Sequence, residues 1–172
     1  MRTLQIKSLG KILANKKTIE SKLRIKLEIK NNSLFIKGDE LDEYVAEKII
    51  DALEMGFSIN IALLLLEEDY MLETINIRQN SNKNPKLTRA RIIGKRRKTL
   101  DTIEQITGCH IVLHDNIIGV IGYSEDIRGV LQAILSLIKG AKWANAYAYL
   151  ERLQGYKQPF VLKLKKAAKG KE

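Results

Sequence analysis

The chain repeats itself. Shifted against itself by about 84 residues, it aligns Gly10-Lys11 with Gly94-Lys95 and Thr18-Ile19-Glu20 with Thr102-Ile103-Glu104. The same register, without a gap, pairs Asn32 with Asn116, Gly38 with Gly122, Asp42 with Asp126, Gly56 with Gly140, Ala62 with Ala146, and Leu66-Glu67 with Leu150-Glu151. A duplication of this kind requires both copies to follow one order of elements, and 172 residues suffice for two small cores.

Each copy reads as α+β. Leu23 to Ile29 alternates apolar and charged residues, the period-two pattern of a half-buried strand, and Asn31-Asn32 supplies a turn into a second strand, Ser33 to Lys37. Cys109 to Leu113 and Ile117 to Ile121 repeat that hairpin around Asp115-Asn116. A helix follows each hairpin, starting near Asp39 in one copy and capped by Ser124 in the other, and Gly56 and Gly140 mark where the two helices stop. A further amphipathic helix is expected after each: Ile59, Ala62, Leu63 and Leu66, then Trp143, Ala146, Tyr147 and Leu150. Ahead of each hairpin lie a helical stretch and a short strand, Thr3 to Ile6 or Leu72 to Ile77. Three strands with helices gathered on one face bury these stripes. The boundary between copies falls near Glu67 to Tyr70, and Gln79 to Pro85 is a polar loop.

The segment Lys86 to Lys98 carries seven positive charges and no carboxylate. Leu87, Ala90 and Ile93 recur at helical spacing before Gly94, and Leu100, Ile103 and Ile106 recur after it, so Gly94 stands at a turn between two helical pieces. Glycine lets a phosphate approach the backbone, and a helix start offers free amides and a positive dipole end. Lys95, Arg96, Arg97 and Lys98 would add charge at that point, raising affinity for a nucleic-acid backbone without reading bases. The same residues also suit a solvated basic face broken by a glycine. The whole chain points the same way as the first reading: 30 Lys plus Arg against 20 Asp plus Glu leave a net charge of +10, which favours polyanions.

Material for catalysis is scarce. Cys109 is the lone cysteine, which leaves neither an internal disulfide nor a cysteine-based zinc site and suits a reducing compartment. His110 and His114 on one strand stand about 13 Å apart, too far to share a metal ion. Glu67-Glu68-Asp69 reads as a solvated acidic turn. No phosphate-binding loop or dinucleotide fingerprint is present, so neither an enzyme nor a bound cofactor is expected. The longest apolar stretch, Ile59 to Leu66, is far shorter than a bilayer span, and Met1 to Lys17 lacks a signal-peptide core, so a cytoplasmic protein without a membrane partner is expected.

The run Ile93-Gly94-Lys95-Arg96-Arg97-Lys98-Thr99, then Thr102-Ile103-Glu104, Thr107-Gly108, a hairpin and a helix ending at Gly140, resembles the KH domain, whose GxxG loop clamps about four nucleotides of single-stranded nucleic acid. More narrowly, the chain resembles the archaeal and eukaryotic two-KH small-subunit ribosome-assembly factors. Met55-Gly56-Phe57 to Ala62-Leu63, Leu72 to Ile75, Arg91 to Lys95, Gly108 to Leu113 and Tyr147 to Leu153 carry that resemblance.

The resemblance implies two tandem type I KH domains, each with a three-stranded antiparallel sheet, helices on one face and an extra C-terminal helix. They would be a degenerate first domain over 1–69 and a second over 70–155, with a basic tail over 156–172. It implies single-stranded RNA as ligand, the 3′ region of small-subunit rRNA in particular. The 3′-end endonuclease and a translation initiation factor are the implied protein partners. RNA contacts are expected at Arg89, Arg91, Ile92, Ile93, Gly94, Lys95, Arg96, Arg97, Lys98, Ile111 and Leu113, the apolar ones lining the groove that such a domain forms for bases between its loop helices and hairpin, with Ile103 read as core.

The sequence departs from the family pattern at two points. Arg97 stands where the second domain's loop normally has its second glycine, and Gly10-Lys11-Ile12-Leu13 in the first domain has lost both that glycine and the charge at the loop's third position. The competing reading is a protein-binding adaptor with incidental RNA affinity. Aromatic residues make up 6% of the chain, too few for the stacking platforms of other RNA-binding folds. The Lys-rich tail suits either nonspecific phosphate contacts or an inert solubilising end.

Overall fold

The computed structural model describes residues 1–157. The first repeat runs β1 (Arg2–Gln5), α1 (Leu9–Leu23), β2 (Lys26–Lys30), β3 (Ser33–Lys37), α2 (Glu40–Met55) and a single turn, α3 (Ile59–Ala62), which tightens into a 3₁₀ turn over Leu63–Leu66. The second runs β4 (Tyr70–Asn76), α4 (Ile77–Asn80), α5 (Pro85–Ile93), a 3₁₀ turn over Lys95–Arg97, α6 (Lys98–Thr107), β5 (His110–His114), β6 (Ile117–Tyr123), α7 (Ser124–Lys139) and α8 (Trp143–Lys157). The fold is α+β, with two three-stranded sheets of matching order, β1-β3-β2 and β4-β6-β5. The offset of 84 carries β2 onto β5, α2 onto α7 and the start of α3 onto the start of α8.

In both sheets the returning strand of the hairpin takes the centre. β3 pairs antiparallel with β1 (Thr3 opposite Phe35) and with β2 (Glu28 opposite Phe35), and β5 pairs antiparallel with β6 (Val112 opposite Gly119). The Ser124 N–H donates to the Asp69 carbonyl and the rings of Tyr70 and Tyr123 touch, so the start of β4 lies beside the end of β6 and this pair is antiparallel as well. The hairpin turns take left-handed backbone at Asn31 and Asn32 (φ 48° and 63°) and at Asp115 (φ 52°), residue types that tolerate it.

The elements differ from the sequence-based expectation at three places. The alternation from Leu23 to Ile29 is not one strand: Leu23 is the last residue of α1, Arg24 turns the chain in a left-handed conformation (φ 51°), and β2 starts at Lys26. Leu23 and Ile25 are buried all the same, so core-facing residues simulate a strand across a helix end. The amphipathic helix expected from Ile59 to Leu66 is only one α turn and one 3₁₀ turn, whereas its counterpart α8 has 15 residues. Four consecutive leucines cannot all face inward on an α-helix; Leu65 is the buried one. The polar run from Gln79 to Pro85 is a loop only over residues 81–84, since Ile77–Asn80 is a helical turn and Pro85 opens α5.

By packing, the described chain divides into two compact units. One comprises Met1–Thr74 with His110–Ser124, the other Ile75–Cys109 with the described residues from Glu125 on. In the first unit Ile12, Ile19, Leu27, Leu34, Ile36, Ile49 and Leu53 are buried between the first sheet, α1 and α2, each contributing about 2 kcal/mol of hydrophobic burial. Ile121 of β6 joins the same cluster, and Gly119 leaves room on that strand for Met55 and Phe57. In the second unit α6 packs on α8, Gly129 of α7 lets Leu153 and Leu150 close in, and Ile103, Val130, Ile134 and Leu137 are buried.

Candidate nucleic-acid interface

Helix α5 is set by its ends. Asn84 caps it by accepting the Lys86 N–H at 2.9 Å, and the Gly94 N–H closes it on the Ala90 carbonyl. Its buried residues are Thr88 and Ile92, not the Leu87, Ala90 and Ile93 whose spacing marks the helix; Leu87 is 70% exposed. Gly94 takes φ 72°, ψ 174°, a region only glycine occupies readily, and redirects the chain. Arg96 (φ 52°, ψ 39°) and Arg97 (φ 65°, ψ 10°) are both left-handed, and α6 begins at Lys98. Thr99 and Leu100 anchor the turn from below, both buried.

This backbone leaves Lys95, Arg96 and Lys98 exposed. They line an open recess of about 610 Å³ together with Asp101, Thr102 and Gln105. Lys98, Asp101, Thr102 and Gln105 share one face of α6 at spacings of three and four, a signal already in the sequence, although reasoning from the basic run alone stops at Lys98. Arg97 points elsewhere. Its guanidinium takes Glu104 in a two-pronged pair (2.9 and 3.1 Å) and also bonds the Asp101 carboxylate. The hydrogen bonds to Glu104, ahead of those to Asp101, hold Arg97 above the ordinary guanidinium range.

The remaining expected RNA contacts fall into three environments. Arg89 and Ile93 are half-buried on α5. Arg91 donates to the Gly140 carbonyl at 3.2 Å and to the Ala141 carbonyl. Its guanidinium lies 5.4 Å from the Trp143 ring centre, and the Trp143 indole N–H donates back to the Arg91 carbonyl at 3.1 Å. Arg91 therefore clasps α5 to the α7–α8 turn instead of facing solvent. Ile92 is 0% exposed and Ile111 1%, both committed to packing, whereas Leu113 is half-buried on β5. Residues 89–98 thus gather in one unit, and Ile111 and Leu113 belong to the other. Ile103, read as core, is buried.

In the first repeat the corresponding Gly10-Lys11-Ile12-Leu13 forms no turn. It is the first stretch of the continuous helix α1, and Ile12 is buried. Among the described residues no group of three or more His, Cys, Asp or Glu is placed to hold a metal ion, and no helix is long and apolar enough to cross a membrane.

The model for the second KH domain of PNO1, described as Eukaryotic type KH-domain (KH-domain type I), matches residues 71–155. A KH domain-containing protein of Methanocaldococcus jannaschii is 34% identical over 145 residues, covering 80% of this chain and 64% of the relative. The pre-rRNA-processing protein PNO1 of Debaryomyces hansenii is 31% identical over 138 residues, covering 75% of this chain and 54% of that protein. The chain thus spans between half and two thirds of the length of these curated relatives. Among solved structures, the a/eIF2alpha-aDim2p-rRNA complex from Pyrococcus horikoshii holds a similar chain, with a TM-score of 0.79, 27% identity and coverage of 88% of this chain and 92% of that one.

Fold, turn and matched segment define residues 71–155 as a type I KH domain. Within that class, the chain is similar to the PNO1/Dim2-type KH-domain proteins, as the Methanocaldococcus jannaschii and Debaryomyces hansenii relatives and the Pyrococcus horikoshii aDim2p chain show.

Proposed function

We propose that the chain binds single-stranded RNA, with the 3′ region of small-subunit rRNA as its target, and acts in small-subunit biogenesis as a binding protein rather than an enzyme. The observation that carries this reading is the turn at Gly94, where glycine backbone leads into a helix start flanked by the exposed cations Lys95, Arg96 and Lys98. The similar aDim2p chain is in a complex containing rRNA, and PNO1 relatives are pre-rRNA-processing proteins, which supports the choice of RNA.

In this reading two KH domains stand in tandem, 1–69 and 70–155, as the matching strand orders and the 84-residue offset suggest. The first is degenerate, because its loop is absorbed into α1. Direct contacts fall to Arg89, Ile93, Gly94, Lys95, Arg96 and Lys98, while Arg91, Ile92 and Arg97 support them within the same unit. The basic tail lies outside the described residues apart from its first two.

Protein partners belong to the proposal too. The complex of aDim2p also contains a/eIF2alpha, which favours an initiation-factor subunit as partner and is the observation behind the adaptor reading. The rRNA 3′-end endonuclease and a cytoplasmic location complete it. The test is a titration of an RNA matching the 3′ end of small-subunit rRNA and a scrambled RNA. Preferential binding that falls at least tenfold when Lys95, Arg96 and Lys98 become alanine supports the reading; equal binding to both removes the rRNA assignment, and no binding leaves the adaptor.

A further inference from the structure

Two successive arginines, Arg96 and Arg97, occupy left-handed backbone in the turn, a conformation that residues other than Gly, Asn and Asp visit rarely. Something must hold the second of them there. Arg97 is tied to helix α6 by three hydrogen bonds, two to the Glu104 carboxylate and one to Asp101, seven and four residues further on. A helix that starts at Lys98 presents positions 101 and 104 on one face, so both carboxylates converge below the residue preceding the helix. The Arg97 N–H also donates to the Gly94 carbonyl, closing the turn on itself. Lys95 and Arg96, by contrast, are exposed beside the recess.

We propose that Arg97 is a positioning residue and not a phosphate contact: its carboxylate-anchored side chain pins the Gly94–Arg97 turn in the left-handed conformation that presents Lys95 and Arg96. This rests on the RNA-binding reading above. The anchoring pair neutralises Arg97 within the protein, so an approaching phosphate meets the charges of Lys95, Arg96 and Lys98 and a preformed backbone. The anchor substitutes for the freedom a glycine would bring at this position.

The test separates backbone from charge. Arg97→Ala, Arg97→Gly and Lys95→Ala proteins are titrated with the rRNA 3′-end oligonucleotide over a series of salt concentrations, and the melting temperature of each is measured with that of Asp101→Asn/Glu104→Gln. Removing one cation that pairs with a phosphate should flatten the plot of log affinity against log salt by about 0.7 for a single strand. Lys95→Ala should flatten it by that amount. Arg97→Ala should weaken binding several-fold with the slope unchanged, and Arg97→Gly should recover part of the affinity, because glycine adopts the turn without the anchor. Arg97→Ala and the double carboxylate variant should both melt lower than the parent by about 2–5 °C, with Arg97→Gly about 2 °C above Arg97→Ala. A slope that flattens equally for Arg97→Ala and Lys95→Ala overturns the inference, as does a double carboxylate variant with the parent's melting temperature. Should the parent bind no RNA at all, the RNA reading falls, and the order of the melting temperatures alone still decides whether Arg97 anchors the turn.

Discussion

The backbone of Thr99 closes off the space beside Gly94: a Cβ on Gly94 would lie 2.9 Å from the Thr99 nitrogen and 3.0 Å from the Thr99 Cβ, and would overlap its hydroxyl. Backbone cannot step aside as a flexible side-chain tip can, and φ 72° with ψ 174° already excludes most residues. Gly94→Ala is therefore expected to cost about 3 kcal/mol, from strain and overlap together, and to abolish binding through the turn. Chemical denaturation beside RNA titration checks both; an unaltered midpoint would mean that the turn rearranges cheaply.

The clasp between Arg91 and the α7–α8 turn yields an expectation opposite to the one its charge suggests. Arg91→Ala removes charge-assisted bonds to the Gly140 and Ala141 carbonyls and the stack on Trp143, a destabilisation of about 2 kcal/mol. Its effect on the salt dependence of RNA binding should be small beside that of Arg96→Ala. Trp143 is the single tryptophan and is 45% exposed, so its fluorescence in the Arg91→Ala protein reports the opening of the clasp directly.

How much of this was legible in the sequence depends on the range over which each feature is written. The repeat offset predicted the order of elements and both hairpins, because turn-forming Asn31, Asn32 and Asp115 and the apolar alternation are local signals. The alternation at Leu23 does not separate helix from strand, because a helix end and a strand can share a period of two when both face one core, and arginine at position 24 gives no hint of a left-handed residue. The basic run located the candidate interface, yet charge says nothing about direction. That Arg91 turns inward to a carbonyl about fifty residues away, and Arg97 along α6, follows only from packing. For α5, the apolar spacing of Leu87, Ala90 and Ile93 marks a helix without marking its buried face: Thr88 is buried and Leu87 is exposed.

Gly119 makes the packing of β6 in the first unit testable. A Cβ there would lie 2.5 Å from the Met55 methyl and 3.1 Å from both its sulfur and the Phe57 ring. Gly119→Val should overpack this region and cost about 1–3 kcal/mol, while a Gly119→Val/Met55→Ala double variant regains part of that stability. A valine tolerated without change would show that the strand and α2 are not in close contact.

Asp51 gives a pH dependence of definite sign. Burial raises its carboxyl above the ordinary value; Lys48 opposes the shift, and Glu47 and Glu54 add to it. A folded-state value above the unfolded one means that the ionised group penalises folding, fully above the folded pKa and progressively less as pH falls below it. Asp51→Asn should therefore melt about 1–3 °C higher than the parent at pH 7, with the advantage shrinking as the pH approaches about 4. Melting curves at several pH values check this; an advantage that grows on acidification would reverse the assignment.

Photo-crosslinking tests most directly whether the second repeat's turn meets the RNA, as proposed. An rRNA 3′-end oligonucleotide carrying 4-thiouridine is irradiated with the protein, and the modified peptides are identified by mass spectrometry. Crosslinks concentrated on residues 89–98, competed away by unlabelled rRNA sequence but not by a scrambled one, are the predicted result. Crosslinks confined to the first repeat's α1, or none that specific RNA competes, would contradict it.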